Sequence, residues 1–134
     1  MGITIDIKRI LRDFLEKRGF DVRLNGTLVG YSGVKHKFDL VALKGDLTLC
    51  IDYTGFDIVS FLKVYLKAVD VDYARIFLLV EEKFRECIPS ELTETRKLKL
   101  VLFKDHEDLI SKMENELASL EQSGNTKSFR YYPR

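Results

Sequence analysis

From Ala74 to Val80 the chain is an almost unbroken apolar run, and the segment just before it, Ile58 to Val69, repeats apolar residues at helical spacing. A strand this apolar needs both faces of its sheet covered, and a helix leading into it is the usual crossover to a parallel neighbour. That pair of elements excludes an all-helical or all-β chain and points to a layered α/β fold.

The remaining patterns build outward from this pair. Ile7, Ile10, Leu11, Phe14 and Leu15 follow helical spacing, with Thr4 or Asp6 as cap and Gly19 as stop, so residues 5–18 are expected as an amphipathic helix. Phe20–Leu24, Lys37–Leu43 and Leu47–Tyr53 are β-favouring runs separated by Asn-Gly, Ser-Gly and Lys-Gly-Asp breaks, the pattern of a three-strand meander. Asp57 caps a helix over 57–69 whose apolar face holds Ile58, Phe61, Leu62, Tyr65, Leu66 and Val69. Pro89-Ser90 opens a short helix over 90–96, and Leu98–Phe103 forms a last strand. Asp105 then caps a helix with Leu109, Ile110, Met113, Leu117 and Leu120 inside. The order α-β-β-β-α-β-(α)-β-α predicts a mixed sheet with helices on both faces, forming one domain over residues 1–121 and leaving 122–134 as a tail.

Composition narrows the function classes. With 134 residues, 46% of them apolar and 32% charged, the chain suits one globular domain and is neither disordered nor fibrous. No apolar run reaches membrane-spanning length and no signal-peptide pattern opens the chain, so a cytoplasmic protein is expected. Cys50 and Cys87 are too few for a disulfide framework, and both are expected reduced, with Cys50 buried. His36 and His106 lack partners at metal-ligand spacing, so zinc is not expected. The net charge of +1 conceals an asymmetry: residues 1–44 carry nine Lys/Arg against five Asp/Glu, residues 45–121 are net acidic, and 122–134 are basic again. A polyanion partner is compatible with that distribution but not demanded by it.

The stretch with most chemical content is Gly30-Tyr31-Ser32-Gly33-Val34-Lys35-His36-Lys37-Phe38-Asp39, followed a strand later by Cys50-Ile51-Asp52-Tyr53-Thr54. Two acids thirteen residues apart on consecutive hairpin strands, joined by a short turn near Lys44-Gly45-Asp46, fall almost opposite each other. Carboxylates so placed can hold a hard divalent cation. The glycine-serine-glycine turn, the His-x-x-Asp leading into an apolar strand and the next strand's central acid resemble the restriction-endonuclease-like nucleases. The nearest subgroup is the type IV, methylation-dependent restriction enzymes and related archaeal proteins, with archaeal Holliday junction resolvases more distant. The resemblance covers residues 5 to about 103.

That resemblance implies a magnesium site at Asp39 and Asp52, with nucleic acid, most naturally DNA, as partner. It also implies a lysine two residues after the second acid, but Thr54 stands there, and an acid in the first helix, where Lys8 stands. Two positions of the family's catalytic set are therefore lost. Lys37, two residues before Asp39, and Lys63, on the second helix, are the candidates for a migrated lysine. The implied function is a nuclease-derived, nucleic-acid-binding domain with lost or weak phosphodiester hydrolysis; the alternatives are an active magnesium-dependent endonuclease or a non-catalytic protein-interaction module.

Each candidate residue also has an ordinary reading. Asp39 and Asp52 can cap turns or pair with Lys35 and Lys37, and His36 can lock its turn by hydrogen bonding instead of meeting phosphate. Lys8 and Arg12, read with Ser32, Lys35 and His36 as a phosphate-contacting set, can equally be parts of a solvated face. In the tail, Phe129, Arg130, Tyr131, Tyr132 and Arg134 can stack on bases, or pack on the domain or a second subunit as a homodimer or protein contact.

Overall fold

A computed structural model describes residues 2–127. Helix α1 (Gly2–Lys17) leads into strand β1 (Asp21–Leu24), then β2 (Thr27–Val29) and β3 (Lys35–Lys37) form a small hairpin. Strands β4 (Leu40–Lys44) and β5 (Leu47–Tyr53) follow, then helix α2 (Ile58–Asp70) and strand β6 (Arg75–Glu81). Two 3-10 segments, Glu82–Cys87 and Ser90–Glu94, connect to strand β7 (Lys99–Phe103) and the closing helix α3 (His106–Lys127).

The main sheet has the order β1-β4-β5-β6-β7. The first three strands pair antiparallel, and β5–β6 and β6–β7 pair parallel. The parallel β5–β6 step requires the crossover that α2 supplies. Alternation along β6 divides the core. Phe77 and Leu79 join Ile7, Leu11, Leu15, Leu109, Met113 and Leu117 under α1 and α3, whereas Ile76, Leu78 and Val80 join Phe61, Val64 and Ala68 under α2. Every one of these side chains is buried, which is why β6 reads as continuous apolar sequence.

Three expectations are corrected. The breaks between β1 and β4 enclose the β2–β3 hairpin, and the strand expected over Lys37–Leu43 is divided: Lys37 closes β3, Phe38 and Asp39 lie between the strands, and β4 begins at Leu40. The predicted apolar face of α2 is split, with Phe61 buried and Ile58, Leu62, Leu66 and Val69 pointing outward. The last helix continues to Lys127, beyond the expected boundary at residue 121, and Phe129 to Arg134 lie outside the described residues. Among the described residues no helix is long and apolar enough to cross a membrane.

Candidate functional site: a carboxylate pair closed by two lysines

The β4–β5 ladder pairs Leu40 with Ile51, so one step further out Asp39 and Asp52 stand at the same end of the sheet. Each uses its side chain to extend that ladder. The Asp39 backbone N–H donates to Asp52 Oδ1 at 2.8 Å, and the Tyr53 N–H donates to Asp39 Oδ2, also at 2.8 Å. Two amides at a strand end are thereby satisfied by the opposite strand's carboxylates, which brings the two acids together.

The other oxygen of each acid faces an ammonium. Lys67 reaches in from α2, with its Nζ 2.6 Å from Asp52 Oδ2 and 2.7 Å from the carbonyl oxygen of Lys37, and it lies 4.5 Å from the centroid of the buried Phe38 ring. Lys8 reaches in from α1, 3.5 Å from Asp39 Oδ1 and 3.1 Å from Asn25 Oδ1. Asn25 takes a positive φ of 54°, which asparagine tolerates, and its N–H donates to the Asp39 carbonyl at 2.8 Å. All four carboxylate oxygens are thus engaged, and the two negative charges are balanced by two positive ones.

Asp52 is the buried charge of the sheet, only 7% exposed. Burial pushes its pKa above the ordinary aspartate value, Lys67 pulls it back down, and the charge of Asp39 pushes it up again. Lys67 is the largest influence holding it down. Cys50, fully buried on the same face of β5, has its thiol pKa pushed strongly upward, first by burial and then by Asp52, which makes it a core residue and not a nucleophile.

Whether this set fits the magnesium ion of the resembling nucleases is decided by its oxygens. Two carboxylates and a carbonyl are hard donors of the right kind. In this arrangement, however, the ammonium of Lys67 already sits on an Asp52 oxygen and the Lys37 carbonyl, where a cation would have to bind. Among the described residues there is no cluster of three or more His, Cys, Asp or Glu able to hold a metal ion. The closed arrangement does not fit a resident divalent ion.

The other sequence candidates fall into two groups. Ser32 and His36 are tied to Asp70 at the end of α2. The Ser32 N–H donates to Asp70 Oδ1 at 2.9 Å, while the Ser32 hydroxyl and His36 Nε2 both stand 2.7 Å from Asp70 Oδ2. With the carboxylate at the centre, this Ser, His and Asp trio is no nucleophilic triad, which requires the imidazole in the middle. It is a latch fastening the hairpin to α2, reinforced by Tyr31 N–H donating to the Asp70 carbonyl at 2.9 Å. Lys35, Lys37 and Lys63 are exposed, and Arg12 is half-buried, 3.8 Å from Asp13. The Thr54 hydroxyl donates to the Gly55 carbonyl at 2.9 Å.

Sequence reasoning missed Lys67. Only once the structure shows Phe61, Val64 and Ala68 to be the buried side of α2 does helical phase place position 67 nearer that side than position 63.

No protein-family model matches the chain, and no curated protein matches it closely. Among solved structures it is similar to the crystal structure of a protein of unknown function, AF1548, at 17% identity and a TM-score of 0.47. The aligned region covers 74% of this chain and 57% of that protein, so the chain spans little more than half of its length.

Proposed function

We propose that this chain is a restriction-endonuclease-like domain that binds nucleic acid, most naturally DNA, by backbone contacts and has lost or nearly lost metal-dependent hydrolysis. The observation that carries the reading is the closed charge cluster, in which Lys8 and Lys67 neutralise the two acids that would otherwise bind a metal ion. With the acids neutralised, the exposed Lys35 and Lys37 leave the neighbourhood net positive, as a phosphate-contacting surface requires. Lys67 beside Asp52 also favours a second reading, an active endonuclease with this lysine in the migrated role.

One experiment separates them. Duplex, branched, single-stranded and methylated DNA are incubated with the protein, with and without magnesium or manganese, and both binding and cleavage are read. The expected result is salt-sensitive binding without cleavage. In the variant with Arg12, Lys35 and Lys37 reversed to glutamate, affinity should fall, and the slope of log affinity against log salt should flatten by roughly 0.9 for each phosphate that is no longer neutralised. Cleavage abolished by Asp39→Ala would establish the second reading, and unchanged affinity and slope in the reversed variant would place any binding surface elsewhere.

A further inference from the structure

The β2–β3 hairpin has an inner and an outer face. Alternation turns Leu28 and His36 inward, Leu28 onto the core under α2 and His36 onto Asp70, and turns Val29, Lys35 and Lys37 away from the domain. Lys35 and Lys37 stand two residues apart on one strand face, so about 6.6 Å separates them along the strand. Both are exposed, and neither has an ion pair among the described residues. In the turn beside them Tyr31 is 67% exposed, yet it is fixed in place. Its N–H donates to the Asp70 carbonyl, and the next residue, Ser32, is held by the Asp70 carboxylate. The Tyr31 ring meets that of Tyr73 edge to face with centroids 6.0 Å apart, and the Tyr73 hydroxyl donates to the Val29 carbonyl of the same hairpin.

We infer that this hairpin takes a single-stranded stretch of DNA, with one unpaired base stacked on the Tyr31 ring and neighbouring phosphates on Lys35 and Lys37. The inference rests on the nucleic-acid-binding reading above and adds to its backbone contacts a base that is free of a duplex. Three features select this occupant. The first is charge: two ammoniums without counter-charges on their own chain, spaced much as consecutive phosphates on an extended strand are, match a polyanion. An apolar protein partner covering Tyr31 would instead leave those ammoniums to be desolvated unpaired. The second is the pairing of cations with an open aromatic ring, which binds a single strand of any sequence because every base has a π face. A base inside a duplex is covered on both faces by its neighbours and reaches a surface ring only by leaving the stack. The third is preorganisation: Tyr31 is anchored through Asp70 and Tyr73 before any ligand arrives, so little freedom is lost on binding.

The test is fluorescence anisotropy of labelled oligodeoxynucleotides of one sequence, single-stranded and fully duplex, with the full chain and its Tyr31→Ala, Tyr31→Phe and Tyr31→Trp variants over a range of salt. The wild type should bind the single strand at least about fivefold more tightly than the duplex. Tyr31→Ala should lower single-strand affinity at least about fivefold with the slope against log salt retained, because stacking neutralises no phosphate. Tyr31→Phe, which keeps the ring, should keep the preference. The chain has no tryptophan, so the indole of Tyr31→Trp reports from the turn alone, and the single strand should quench its emission saturably as anisotropy rises. A wild type that binds duplex as tightly as single strand, a Tyr31→Ala protein with unchanged single-strand affinity, or a Tyr31→Trp emission that stays constant on binding would each overturn this inference and leave the nucleic-acid-binding reading standing. Absence of binding to either oligonucleotide would overturn both.

Discussion

Replacing Lys67 by methionine should destabilise the protein by about 2–3 kcal/mol, even though methionine preserves most of the side chain's length and apolar stem. The loss comes from leaving the Asp52 carboxylate buried without a cation, which is costlier than the original pair was favourable. The value sits below the range for fully buried pairs because the Lys67 and Asp52 side chains retain 20% and 11% exposure. Two further results follow. Adding Asp52→Asn to Lys67→Met should recover part of the loss, since an amide oxygen still accepts from the Asp39 N–H while the buried charge is gone. The defect should also shrink as pH falls. Burial already raises the folded-state pKa of Asp52, and removing Lys67 takes away the largest influence lowering it. The variant's folded state therefore binds the proton more tightly than its unfolded state, and its stability relative to wild type improves as acid protonates that carboxylate. Urea denaturation of the wild type, the Lys67→Met and Asp52→Asn single variants and the double variant across pH reads all of this.

Gly30→Ala should cost a further large increment, about 1–3 kcal/mol. Gly30 is not among the residues with positive φ, so alanine suffers no backbone penalty there. Its Cβ, however, would lie 2.0 Å from Asp70 Oδ2 and 2.3 Å from Asp70 Cγ. The carboxylate cannot swing aside without releasing Ser32 and His36, so one methyl group undoes the latch that holds the hairpin on α2. In an Asp70→Ala background the same substitution should cost little, and the non-additivity of the double-mutant cycle measures the latch. Acid should mimic the effect. Hydrogen bonds from Ser32 and then His36 hold the Asp70 pKa below its ordinary value, so its contribution is complete above that value and is lost as pH falls through the depressed one. Faster hydrogen exchange of the Tyr31 and Ser32 amides at low pH, ahead of the β6 amides, is the expected signature.

The sequence was most legible where burial dictated composition. Strand β6 and the helix before it were plain because a doubly covered strand leaves no polar positions, and the Asp39–Asp52 pairing followed from thirteen-residue spacing across a short turn. The β2–β3 hairpin was not legible. Its strands are three residues each, too short to show alternation, and they are held by Asp70, more than thirty residues away in the chain. The same long-range dependence hid the partners of Ser32 and His36. For α2, both sides being apolar left the buried side undetermined, and with it the choice between Lys63 and Lys67 as the lysine that enters the site.

Lys8 and Lys67 close the acidic pair, and the amides of Asp39 and Tyr53 report on that closure directly because each donates to one of the two carboxylates. Their backbone amide NMR shifts should be followed as magnesium is titrated into the low millimolar range, in the wild type and in the Lys8→Met, Lys67→Met double variant. Wild-type shifts that stay unchanged, beside saturable shifts at both amides once the lysines are gone, are the predicted result. Saturable magnesium-induced shifts at Asp39 and Tyr53 in the wild type would contradict it.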